Sequence, residues 1–176
     1  MREDVLLLHT PHLVFDWYLD SFPGVFDRSM LRSVPYEQRY AENLLSLAIY
    51  EMNGQRPMYV DFSTRYSVQF ANFGLQQRGI IYGLLPGSPQ LVAPQGEVWN
   101  IYNWRGITGT EMGFSDLDTQ KAILIYASAR LESGETLYRL GRKGEGMTEL
   151  QQAVTIAPTQ EVRGQAADIL SRYGAP

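Results

Sequence analysis

Two short runs of consecutive apolar residues bracket helical patterns in the first third of the chain. The runs "DVLLLHT", with Val5–Leu8, and "RPMYVDF", with Met58–Phe62, are typical of strands buried on both faces. Between them, Thr10 and Pro11 favour a helix start, and "YEQRYAENLLSLAIYEMNG" has an apolar stripe typical of a second helix. The order strand, helix, helix, strand predicts a right-handed crossover and a parallel strand pair.

The middle of the chain has a less regular pattern. The stretch "STRYSVQFANFG" is compatible with a short helix or an irregular crossing, and "QQRGIIYGLLPG" predicts a third strand. The stretch "VWNIYNW" predicts a strand or hairpin arm, or else part of a long connector. Residues 1–115 are therefore expected to form an α/β domain with a small, partly parallel sheet and flanking helices.

Residues 116–176 have helical periodicity in three successive segments. Their small and apolar residues resemble those of a tetratricopeptide repeat of about 34 residues, although Arg130 and Ser133 depart from its usual large residues. The resemblance predicts a helical hairpin with a capping helix, in which Gly134 and Ala153 meet at the crossing; a plain helical hairpin is the alternative. A single repeat does not bury its own face, so it should pack on the α/β part or on another chain. The positions that match the repeat are Gly134, Leu137, Gly146, Leu150, Ala153 and Pro158.

Composition narrows the classes of function. The formal net charge of -4 offers no basic surface for a phosphate backbone, so nucleic acid is not an expected partner. The chain has no Cys, which excludes disulfides, thiolate nucleophiles and Cys-based zinc sites. No apolar run approaches the roughly 20 residues that span a bilayer, and the first residues do not form a secretory signal. The sequence as given therefore predicts a soluble chain.

Few residues are candidates for catalysis, metal binding or ligand binding. His9, His12 and Asp16 are spaced so that they can hold a metal, and the free N–H groups of the same helix start can bind an anion. Ordinary histidines at a strand-to-helix corner explain the pattern better. Asp61 lies at the end of a strand. There its carboxylate either takes part in a ligand site or caps the next turn by accepting from the N–H of Ser63 or Thr64. We expect no catalytic residue, metal or cofactor in the isolated chain.

The aromatic cluster Trp99, Tyr102 and Trp104 is the best candidate for binding. These rings can stack on a sugar ring or on a partner peptide, and core filling beneath a long loop is the alternative. A protein bound by the helical tail, and a sugar or glycan on the aromatic rings, are the expected partners.

The quoted segments also resemble a family. The stretches "DVLLLHTPHLVFDWYLD", "YAENLLSLAIYEMNGQRPMYVDF" and "FGLQQRGIIYGLLPG" look like the soluble C-terminal region of multi-pass membrane proteins related to the bacterial protein O-mannosyltransferases, which are glycosyltransferase-like. The resemblance implies an extracytoplasmic domain, on the periplasmic or cell-envelope side, connected to the membrane only through an upstream region. Any sugar transfer from a lipid-linked donor would reside in that membrane part, so no catalytic residue is carried over.

Two functions follow as hypotheses. The first is a non-catalytic accessory or protein-interaction domain, the extracytoplasmic tail of a glycosyltransferase-like membrane protein. The alternative is a small α/β enzyme or ligand-binding domain that uses His9, His12 and Asp61, and it is cytoplasmic if Met1 is the true start.

Overall fold

The computed structural model describes residues 14–20, 57–67, 70, 73–87, 91–102 and 116–174, together with positions 35, 38, 39, 41, 44, 45 and 49. Contacts divide the chain into two compact units, residues 1–58 with 66–70, and residues 59–65 with 71–176. This division groups the strands with the C-terminal helices, whereas composition predicted a boundary between residues 115 and 116. The boundary between residues 115 and 116 stays a prediction.

In the first unit, helix α1 spans Asp16–Leu19. Positions 38, 39, 41, 44, 45 and 49 are helical, in the segment where the second helix was predicted, and Leu44 is fully buried. The strand predicted at Val5–Leu8 lies outside the described residues, so its pairing with the strand near residue 60 stays a prediction.

The sheet of the second unit has three strands in the order β1-β3-β2, namely β1 Tyr59–Asp61, β2 Phe73–Arg78 and β3 Ile81–Pro86. Both pairings are antiparallel, so the prediction of a partly parallel sheet is wrong for these strands. The physical reason is a two-residue turn at Gly79 and Ile80, where Gly79 has a φ of 66°. This turn reverses the chain and makes a hairpin from the region where a single strand was predicted.

Short helices connect the strands to the rest of the unit. Helix α2, Phe62–Ser67, follows β1 directly and matches the helical option for this stretch. A 3-10 helix occupies Gly96–Ile101, so the strand or hairpin arm predicted there is wrong. Residues 91–95 run beside β2: Leu75 and Leu91 form an isolated parallel bridge, and the Gln95 N–H donates to the Gln77 carbonyl at 2.9 Å.

Three helices form the C-terminal part, as predicted: α3 Leu117–Arg139, α4 Lys143–Ile156 and α5 Gln160–Gly174. The Asp116 carboxylate caps α3 by accepting from the Thr119 N–H at 2.7 Å. Gly141, with a φ of 81°, ends the helix and lets the Arg142 N–H reach the Leu137 carbonyl at 2.9 Å. The Thr159 hydroxyl accepts from the Val162 N–H at the start of α5. Local capping chemistry therefore sets these helix ends.

Helices α3 and α4 approach most closely at two glycines. A Cβ on Gly134 would lie 2.7 Å from Leu150 Cγ and 2.9 Å from the Gly146 carbonyl oxygen. The atoms nearest to a Cβ on Gly134 therefore belong to Leu150 and Gly146, and Ala153 is fully buried. The expected contact of Gly134 with Ala153 stays a prediction. Since neither glycine carries a side chain, the two backbones can pack directly on each other.

Candidate functional site

The hairpin of β2 and β3 is fastened to one face of α3 by polar side chains. Gln77 Nε2 donates to the carbonyls of Ala129, at 2.6 Å, and of Gly79, at 3.1 Å. The Tyr82 hydroxyl donates to Glu132 Oε2 at 2.6 Å. Gln77 and Tyr82 are both buried, so these bonds form in surroundings where an unpaired polar group costs the most.

Arg130 connects three elements at the centre of the unit. Its guanidinium lies over the Trp99 ring of the 3-10 helix, 4.5 Å from the ring centroid, and donates to Glu149 of α4 at 2.8 Å. Burial lowers the pKa of Arg130 and raises the pKa of Glu149, although the ion pair opposes both shifts. The sequence singled out Arg130 only as a departure from the repeat pattern, and that departure was the available signal for this contact.

The predicted aromatic cluster is packed inside the unit as far as it is described. Trp99 is only 4% exposed, and Tyr102 lies against both Trp99 and Tyr126, with ring centroids 5.5 and 5.3 Å away. Burial raises the pKa of Tyr102, despite a hydrogen bond from the Ile80 N–H. Trp104 lies outside the described residues. The structure therefore favours core filling for Trp99, whose ring has no open face for a sugar.

Asp61 caps the turn that follows its strand. Its Oδ1 accepts from the N–H groups of Ser63, at 2.7 Å, and Thr64, at 2.9 Å, and its Oδ2 accepts from the Thr64 hydroxyl at 2.8 Å. Burial alone would raise the pKa of Asp61, but these bonds and that from the Ser63 hydroxyl outweigh it and lower the pKa. The capping interpretation matches this geometry, which leaves a ligand role at Asp61 without support.

A second charged cluster was not predicted. Arg65 of α2 forms an ion pair with Glu132 of α3, and its guanidinium lies 4.8 Å from the centroid of the Tyr82 ring. Because Tyr82 also donates to Glu132, one carboxylate joins α2, β3 and α3. Nothing in the local sequence pattern indicates this cluster, since its members come from three separate segments.

The metal hypothesis rests on residues of which only one is described. His9 and His12 lie outside the described residues, while Asp16 begins α1. No group of three His, Asp or Glu side chains in the described part of the chain is placed to hold a metal ion.

The clearest exposed feature is an apolar stripe on the first half of α3. Leu117, Leu124 and Ile125 are 69%, 37% and 39% exposed, and Lys121 lies between them. At about 100° per residue these side chains share one face of the helix, on the side away from the buried residues Gly134 and Leu137. We call these four residues the α3 stripe.

Comparisons with protein-family models, with curated proteins and with solved structures find no match. Among the helices that the structure describes, none combines the length and apolar character needed to cross a membrane.

Proposed function

We propose that this chain is a non-catalytic protein-interaction domain, and that the α3 stripe is the surface that binds the partner. The observation that carries the proposal is the exposure of Leu117, Leu124 and Ile125 on one face of a long helix whose opposite face is buried. When a partner covers apolar side chains grouped in this way, their removal from water makes the free energy of binding more favourable.

The state of the charged side chains supports binding over chemistry. The Asp61 carboxylate caps the start of α2. Glu132 contacts Tyr82 and Arg65, and Glu149 forms a buried ion pair with Arg130. Each of these carboxylates has a structural use that a catalytic role would disrupt. The apolar members of the α3 stripe, Leu117, Leu124 and Ile125, are exposed instead.

The partner contact is tested by substitution on the α3 stripe. Removing residues 116–176 would be a poor test, because Gln77 and Tyr82 bond to α3 and the sheet would lose its cover. We therefore expect photo-crosslinking from position 124 of the intact chain to identify a protein that, once purified, binds the wild type in calorimetry. Leu124→Asp should reduce that affinity by at least about tenfold, because it places a charge in an apolar contact.

The matched control is Ala167→Asp, a similar change at an exposed position of α5. It should leave the affinity unchanged. Equal binding by the wild type and Leu124→Asp would refute the role of the α3 stripe. Failure of any crosslinked protein to bind after purification would count against the interaction function itself.

We also propose, from the resemblance to glycosyltransferase-like membrane proteins, that the domain works on the extracytoplasmic side of a membrane. The support is the likeness of most of residues 4–87 and 119–158 to the soluble C-terminal region of those proteins. This likeness includes the tetratricopeptide-like order of Gly134, Gly146, Leu150 and Ala153. Fractionation of source cells followed by protease treatment from outside should find the domain membrane-associated and accessible. Recovery entirely in a cytoplasmic fraction would refute this placement.

A further inference from the structure

The sheet has a second face, turned away from α3. Side chains alternate along each strand, so the row Val60, Tyr82 and Gln77 faces α3. The opposite face carries Tyr59, Asp61, Ile81 and Arg78. Tyr59 is 41% exposed and Ile81 is 38% exposed. This opposite face therefore presents an aromatic and an aliphatic side chain to solvent, and we call it the outer sheet face.

Arg78 is held in place on the outer sheet face by neutral groups. Its Nη1 donates to the Tyr59 hydroxyl at 2.8 Å, its Nη2 donates to Gln76 Oε1 at 3.4 Å, and its guanidinium lies 5.3 Å from the Tyr59 ring centroid. No carboxylate in the described part of the chain lies at ion-pair distance from Arg78. The cation is thus oriented by its neighbours without an ion-pair partner among the described residues. The Asp61 carboxylate on the same face lies two strands away, on β1, and accepts from Ser63 and Thr64.

Glycine at position 83 contributes to the shape of this face. Tyr59 and Gly83 are register partners in neighbouring strands, and a Cβ on Gly83 would come within 3.3 Å of the Tyr59 ring. The absence of a side chain at Gly83 allows the Tyr59 ring to lie across the strand. The ring, Ile81 and the Arg78 guanidinium consequently form one shallow surface.

We propose that the outer sheet face binds an acidic peptide segment of a protein partner. A carboxylate of the peptide accepts from the outer N–H groups of Arg78, and a neighbouring apolar side chain packs on Tyr59 and Ile81. The argument is local charge complementarity: a guanidinium that is held in place and has no carboxylate at ion-pair distance among the described residues matches the geometry of a peptide carboxylate. Charge-assisted bonds of this kind are the strong ones.

The spacing of the surface fits an extended peptide. Arg78 and Ile81 are register partners, about 5 Å apart, and Tyr59 lies diagonally from Ile81 at about 7 Å. In an extended chain, side chains two residues apart share a face and are about 7 Å apart, so a carboxylate over Arg78 and an apolar side chain over Ile81 and Tyr59 can both reach this surface. Nucleic acid does not fit, because this face supplies one cation and the chain has a net charge of -4.

The test is a nuclear magnetic resonance titration of the intact, ¹⁵N-labelled chain. The probe is the peptide acetyl-Gly-Leu-Ser-Glu-Gly-amide, and the matched probe has Gln in place of Glu. We expect saturable shifts of the Tyr59, Ile81 and Gly83 amides with the acidic peptide. The Gln peptide, and separately the variant Arg78→Gln, should bind about tenfold more weakly because each removes a charge-assisted bond.

Arg172→Gln is the control, since Arg172 is an exposed cation on α5 outside this face. It should titrate like the wild type, and Arg78→Lys should keep part of the affinity. The proposal is overturned if no shifts appear up to about 10 mM peptide, a concentration at which even weak complexes form, or if they arise elsewhere. Equal affinity for the two peptides also overturns it, and that comparison needs no variant that might misfold. The titration does not involve the α3 stripe, so the two binding proposals fail independently.

Discussion

Asp61 shows how a carboxylate at a strand end serves the residues that follow it. Its two oxygens accept four hydrogen bonds from Ser63 and Thr64, and these bonds cap the first turn of α2. Such capping bonds satisfy N–H groups that have no partner within a helix. The same residue position that suggested chemistry in the sequence is therefore explained by local backbone requirements.

Replacing this cap should weaken the fold in a pH-dependent way. Asp61→Ala should lower the free energy of unfolding at pH 7 by about 0.5–2 kcal/mol. Because the pKa of folded Asp61 lies below its ordinary value of 3.8, the stabilisation is complete above that value and is lost as the pH falls through the folded pKa. Urea unfolding of both proteins across this range should show the difference shrinking in acid.

The control for the cap is Asp168→Ala, which removes an exposed carboxylate from α5. It should leave stability nearly unchanged. A difference between wild type and Asp61→Ala that stays constant down to the lowest pH would contradict the role of the ionised carboxylate.

The buried Arg130–Glu149 pair allows a prediction about the stability of variants. Glu149→Leu should cost about 3–5 kcal/mol, because it leaves the Arg130 charge buried without its carboxylate. The double variant Arg130→Met with Glu149→Leu should regain most of this loss, since two apolar side chains need no compensating charge. Denaturant unfolding of both single variants and the double variant at pH 7 measures the coupling. Additive losses would show that the pair does not act as a unit.

At the scale of elements, the crossing of α3 and α4 depends on the two glycines. Gly134→Ala should lower the free energy of unfolding by about 1–3 kcal/mol, because the new Cβ would meet Leu150 and the Gly146 backbone below normal contact distance. Gly144→Ala is the matched control in α4: its Cβ meets nothing within 4 Å, and it should stabilise by about 0.5–1 kcal/mol. Thermal unfolding of both variants measures the two changes in stability. Equal changes for Gly134→Ala and Gly144→Ala would contradict close packing at Gly134.

The C-terminal helices were predictable because their signals are local. Asp116, Gly141 and Thr159 mark helix ends by their own backbone and capping chemistry. The hairpin of β2 and β3 was missed because "FGLQQR" lacks the alternation of a half-buried strand. Gln77 is buried there through its bonds to α3 and the turn, and not through apolar character.

The candidate site was predictable only as a set of residue types. The sequence identified Trp99 as a notable aromatic residue and Arg130 as an unusual one, but no local pattern shows that they stack on each other. Their contact depends on how the 3-10 helix meets α3. Long-range packing therefore decided whether the Trp99 ring is a binding surface or part of the core.

At the scale of the whole second unit, the sheet and the helices are coupled by side chains that cross between them. Gln77, Tyr82 and Trp99 all contact α3, through Ala129, Glu132 and Arg130 respectively. Gln77, Tyr82 and Trp99 are each buried, so separating the sheet from α3 would expose polar groups and apolar surface together. The unit therefore has a physical reason to unfold as one body, with no separate melting of the helical part.

Two probes should accordingly report one transition. In a variant with Trp17→Phe and Trp104→Phe, the fluorescence of Trp99 follows its contact with Arg130, while circular dichroism at 222 nm is dominated by the helices. We expect the two urea curves to coincide in midpoint and slope, since a two-state transition gives all probes the same curve. If Trp99 becomes solvent-exposed while α3, α4 and α5 remain helical, the side-chain contacts with α3 do not couple the two parts. In that case residues 116–176 would form an independent domain, as the composition of the chain predicted.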